Sequence, residues 1–177
     1  MTPFRVASGG LWLALLGIAF FTAPPAAPDT GAQITQMVTG QLAGLNVSLF
    51  ALFNLMGVWP LAMAIALRTD RPWWKWPFIA GSFALGAFVL LPYFVLRPWG
   101  DPRVEPISVP GRFLSSRWLL LAVAFAGLAF GALFLGGDLQ GFAVLWKTQQ
   151  FPYVMSFDFV AMSLAAGLLG LERLTTR

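Results

Sequence analysis

The sequence predicts an all-α, polytopic helical membrane protein of about five spans, within a range of four to five, plus an amphipathic interfacial helix. Three observations predict it. Hydrophobic residues make up 58% of the 177-residue chain and charged residues only 10%. Soluble domains carry about 25% charged residues, so this set cannot build a water-facing surface. Apolar runs of span length recur, since a core of about 30 Å takes about 20 helical residues. Cations and tryptophans gather at the ends of those runs, where they meet headgroups. The chain reads as one membrane domain, 1–177, with spans near 9–23, 45–67, 77–96, 118–135 and 153–171.

The first span is signal-like: Arg5 precedes the run LWLALLGIAFF. The following TAPPAAPDT offers no clean small-x-small cleavage site, so the segment is expected to persist as a span. Pro24, Pro25 and Pro28 then end the helix. Thr30 and Gln33 have capping-box spacing. Ile34, Met37, Val38, Leu42 and Leu45 follow at helical spacing among polar residues. This predicts an amphipathic helix that lies in the interface or runs on into the second span.

The second span, 45–67, holds Asn54 and Pro60. Pro60 is expected to kink it. An amide in hydrocarbon needs a partner, so Asn54 reads as interhelical glue or as a pigment or substrate contact. Arg68–Trp76 is a short cationic, tryptophan-rich turn, so spans two and three are expected to form an antiparallel hairpin. The third span, 77–96, has Ser82 and Gly86 at small-xxx-small spacing.

The connection 97–117 has prolines at 98, 102, 106 and 110, which exclude a regular helix. With Arg103 and Arg112 it is a candidate partner-contact surface. The fourth span carries Gly127 and Gly131, a GxxxG that lets another helix approach closely. Leu139–Gln150 is too short to span and reads as interfacial.

The last span holds Asp158, the one acid within a predicted span. It reads either as a first-turn residue of a helix starting near Ser156, stabilised by the helix dipole, or as a ligand or proton site. Lys147 and Arg71 are its expected ionic partners. Five spans divide the eleven cations five to six between the two sides, so the positive-inside rule does not orient the chain. Arg5 alone leans towards a cytoplasmic N-terminus.

Function is constrained mainly by what is missing. The chain has no cysteine and no histidine. Disulfides, thiolate nucleophiles, His-ligated haem and the commonest general base are thereby excluded. No nucleophile–base pair is assembled at a recognisable spacing, so no catalytic residue and no metal site is assigned. The net charge of +4 sits at span ends and points to headgroups, with no nucleic-acid partner.

Phe53–Leu67 and Trp76–Arg97 together resemble a family of uncharacterised integral membrane proteins of cyanobacteria and plastids. The likeness rests on Asn54, Gly57 and Pro60, on Trp76-Pro77-Phe78, on Ser82-Phe83, on Gly86-Ala87-Phe88 and Leu90-Leu91-Pro92-Tyr93, and more loosely on Asp158-Phe159. It implies a photosynthetic membrane, thylakoid or cell inner membrane, and no activity. The expected function is an accessory subunit or assembly factor of a larger, photosystem-associated complex. Such a subunit would contact lipid and pigment: chlorophyll held without imidazole, through groups such as Asn54 or Asp158, and carotenoid against the 17 phenylalanines. The alternative is a small carrier or channel component using Asp158 and Asn54.

Overall fold

A computed structural model describes residues 3–68, 73–97 and 114–175, the last three for their backbone only. It is all-helical among these residues, as the composition predicts. In chain order the helices are α1 (Pro3–Gly17, continued by a π-helical turn, Ile18–Thr22), α2 (Thr30–Thr39), α3 (Val47–Ala66), α4 (Lys75–Leu85), α5 (Ala87–Leu96), α6 (Arg117–Gly136), α7 (Leu139–Thr148) and α8 (Gln150–Thr175). Four are long and apolar enough to cross a membrane: Pro3–Thr22, α3, α6 and α8 as far as Glu172. Twenty residues of helix reach about 30 Å, one bilayer core.

The four long helices share two ends. At one end α1 begins, α3 stops, α6 begins and α8 finishes. Arg5 Nη2 donates to the Arg97 carbonyl at 2.7 Å. Arg97 pairs with Glu172 at 2.8 Å, and Arg68 Nε donates to Ser115 Oγ at 3.2 Å. At the other end, Asn46 Nδ2 donates to the Asp138 carbonyl at 2.9 Å. There the Gln150 amide also donates to the Pro25 carbonyl at 3.2 Å, and Thr22 and Tyr153 hydroxyls meet at 3.2 Å.

Capping chemistry explains several boundaries. Asn46 is the N-cap of α3, its Oδ1 accepting from the Leu49 amide at 2.9 Å. Asp138 caps α7 in the same way through the Gly141 amide at 2.8 Å. The capping box predicted at Thr30 and Gln33 does not form. Asp29 precedes α2 instead, Thr30 turns back to the Ala27 carbonyl, and Gln33 Nε2 reaches Asp29 Oδ2 at 2.9 Å. Gly40, at φ 72°, then ends α2, so α2 does not run on into α3. Helices α2 and α7 both lie at the Asn46–Asp138 end. Pro60 sits within an unbroken α3 and is fully buried.

The apolar run 77–96 is not one helix. It divides at Gly86 into α4 and α5, of 11 and 10 residues. The two fold back on each other: the rings of Trp74 and Tyr93 lie 5.2 Å apart, and those of Phe78 and Tyr93 5.8 Å apart. In a straight helix, residues 74 and 93 would be about 28 Å apart. The predicted third span is therefore a helical hairpin that enters and leaves at the Arg97–Glu172 end. Each arm reaches about 15 Å, roughly half a bilayer core.

This hairpin organises the main core. Leu90, Leu91, Tyr93 and Phe94 of α5 are fully buried, packed with Leu15, Met63, Met162 and Ala165 from the surrounding spans. A smaller cluster of Met37, Leu49, Leu52 and Met155 closes the opposite end.

Candidate functional site

The site with chemistry in it is the tip of the hairpin. Gly86 has φ 51° and ψ −129°, a conformation that L side chains rarely adopt, so a glycine belongs there. The Gly86 amide closes α4 on the Ser82 carbonyl at 2.9 Å. The first amides of α5 then have no carbonyl one turn behind them. In hydrocarbon no water can serve them, and each orphan group costs several kcal/mol.

Asp158 answers this need. Its Oδ1 accepts from the Ala87 amide at 2.7 Å, and the Phe88 amide also hydrogen-bonds to the carboxylate. Asp158 is 5% exposed and Ala87 fully buried. The positive end of the α5 dipole faces the carboxylate, which stabilises the charge further. A Cβ at Gly86 would overlap the Asp158 carboxyl group. The glycine thus serves twice, as the break and as the space for the acid. From the α1 side, Trp12 Nε1 donates to the Phe88 carbonyl at 3.0 Å. The arms approach closely where Gly81 faces Val89: a Cβ there would lie 3.1 Å from Val89 Cγ1.

The sequence-predicted residues fall out as follows. Asp158 is stabilised by a helix N-terminus, but not its own. Helix α8 starts at Gln150, so Asp158 lies in its third turn and caps α5 across the bundle. Among the described residues no ion pair to Asp158 forms; Lys147 is exposed in the last turn of α7, and Arg71 lies outside the described residues. Asn54 is half-buried, and its Nδ2 donates to the Phe50 carbonyl of its own helix at 2.9 Å. It bonds within its own helix rather than between helices, and no hydrogen bond joins it to Asp158.

Gly127 faces α3, where a Cβ would come within 4.0 Å of Val58, whereas Gly131 has open space before it. Arg103 and Arg112 lie outside the described residues, as does nearly all of the connection 97–117. The residues missed from sequence are Ala87, whose amide carries no side-chain signature, and Gly86 in its role as a break. The signal for both was Asp158 itself, an acid in an apolar span with no cation at helical spacing.

The chain was compared with protein-family models, curated proteins and solved structures, and none of the three gives a match.

Proposed function

We propose that this chain is a non-catalytic helical subunit, or an assembly factor, of a larger membrane complex. The supporting observation is α6. It is a complete span of 20 residues, yet none of them is buried within the chain. It leans on α3 through the Gly127 face and leaves Phe125 and Leu128 outward. A helix that packs on α3 along one side and leaves large apolar residues outward on the others suits packing against another integral subunit. The photosynthetic setting, and any chlorophyll or carotenoid, rests on the resemblance of residues 53–97 alone.

We place the Arg97–Glu172 end on the cytoplasmic side. With the hairpin counted as re-entrant, Arg5, Arg68, Lys75, Arg97 and Arg117 gather at this end and, among the described residues, Lys147 alone at the other. The segments holding Arg71, Arg103 and Arg112 begin and finish at the same cationic end. The positive-inside rule, undecided for five spans, then favours cytoplasmic N- and C-termini.

A second reading is favoured by one observation. Broken helices with a charged group at mid-membrane also serve in carriers, and the Gly86–Asp158 tip has that form. A mild-detergent pull-down of the tagged protein, with mass spectrometry and an absorption spectrum, separates the readings. Stoichiometric integral subunits support a resident subunit, and substoichiometric ones an assembly factor. A protein that purifies alone, and a transport activity lost on Asp158→Asn, would support the carrier.

A further inference from the structure

The second feature that the fold leaves unexplained is a cleft at the Asn46–Asp138 end. It has a volume of about 370 Å³ and lies between α3, α6, α7 and α8. Leu52, Leu55, Phe134, Phe142, Trp146 and Phe159 form its walls, with Ala143 and Val160 also lining it. The one hydroxyl in the lining, Ser156, is already spent on the Pro152 carbonyl at 2.7 Å. The indole N–H of Trp146 is the other polar group among the lining side chains.

The depth of the cleft identifies its occupant. Its residues on α3 and α8 lie within about ten positions of the helix starts, or about 15 Å. That lies within one leaflet's hydrocarbon, half of a core of about 30 Å. Val160 is 51% exposed, so the cleft opens sideways onto the bilayer face of α8. The headgroup level is marked by amphipathic α7, where Trp146 stacks on Tyr153 at 4.8 Å. Lys147 follows on α7. It sits one turn beyond Ala143, at the i, i+4 spacing that places two side chains on one helix face. Lys147 is exposed, and it is the one cation at this end among the described residues. The apolar cleft and that cation thus lie side by side along α7, apolar walls next to a charge, as the hydrocarbon and the headgroup of a lipid adjoin.

We propose that this cleft binds one phospholipid, with an acyl chain along the Phe142–Phe159 walls and its phosphate at Lys147. The site is separate from the α6 face and does not depend on the chain's being a subunit of anything.

The test uses the full-length protein reconstituted in phosphatidylcholine vesicles containing phosphatidylglycerol. It is then extracted mildly and weighed by native mass spectrometry. The wild type is expected to retain one phospholipid. Ala143→Phe and Val160→Phe, which fill the cleft from its exposed rim, are expected to lose it. Leu128→Phe, on the far side of α6, is the control and is expected to keep it. Lys147→Gln is expected to weaken retention of phosphatidylglycerol roughly fivefold, the effect of one lysine near a headgroup. Helical circular dichroism identifies any variant that misfolds, and the other cleft variant then decides. Retention unchanged in a folded cleft-filled variant would overturn the proposal. So would equal retention in Lys147→Gln, or a coloured hydrocarbon in place of phospholipid.

Discussion

Asp158 on α8 and Ala87 at the start of α5 stand 71 residues apart in the chain and share a buried hydrogen bond of 2.7 Å. An acid in lipid and a broken helix are each costly alone. Here each removes the cost of the other. The carboxylate takes the orphan amides, and the amides with the α5 dipole hold the carboxylate.

The pair predicts a graded mutational series. Asp158→Asn keeps one acceptor oxygen for the Ala87 amide and is expected to cost about 1 kcal/mol. Asp158→Leu leaves that amide bare and is expected to cost about 3 kcal/mol. The midpoint of unfolding in mixed detergent and SDS reads both. Equal midpoints for Asn and Leu would contradict the hydrogen-bond account.

Gly86→Ala meets two obstacles, the positive φ and overlap with the Asp158 carboxyl group. It is expected to lose about 3 kcal/mol or more. The double variant Gly86→Ala, Asp158→Ala removes the overlap and leaves the φ strain. It is therefore expected to be less destabilised than the two single effects added together.

The cationic end is tied by Arg97, which pairs with Glu172 and lies over the rings of Phe4 and Phe94. Arg97 and Glu172 side chains are only 9% and 19% exposed. Glu172→Gln is expected to cost about 2 kcal/mol, between an exposed pair and a buried one. Added salt is expected to change the difference little. A loss that vanishes at high salt would mean that the pair is effectively solvated.

The two glycines of α6 are expected to separate folding from association. Gly127→Leu pushes against Val58 and is expected to lower the unfolding midpoint. At Gly131 a Cβ would meet open space, so Gly131→Leu is expected to lower the midpoint less than Gly127→Leu while partners are lost from the pull-down. Partners retained in Gly131→Leu would remove α6 as the docking face.

The helical class, the four long spans and the short amphipathic helices were legible because length, hydropathy and period each speak for a single element. The hairpin was not. Pro77–Leu96 has the length and apolarity of a span, and hydropathy is blind to one residue at positive φ. Two residues hinted otherwise. Asp158 had no cation at helical spacing, so its partner had to come from elsewhere. Gly86 read as a small packing residue, although the close packing falls to Gly81 facing Val89. The even division of cations under five spans was a third sign, since removing one crossing collects them at one end. Asn54 misled for a local reason: an amide in a helix can satisfy its donor on the carbonyl four residues back.

The most direct test of the account is the side on which three positions emerge. The chain has no native cysteine, so single cysteines report cleanly. Trp73→Cys, Ser115→Cys and Thr148→Cys each replace an exposed residue. They are labelled with an impermeant maleimide in sealed vesicles of known sidedness. The re-entrant hairpin predicts that 73 and 115 react from the same side, the cytoplasmic one, and 148 from the other. Labelling of 73 and 148 from one side with 115 opposite would mean that 77–96 crosses the membrane, and would contradict the four-span architecture.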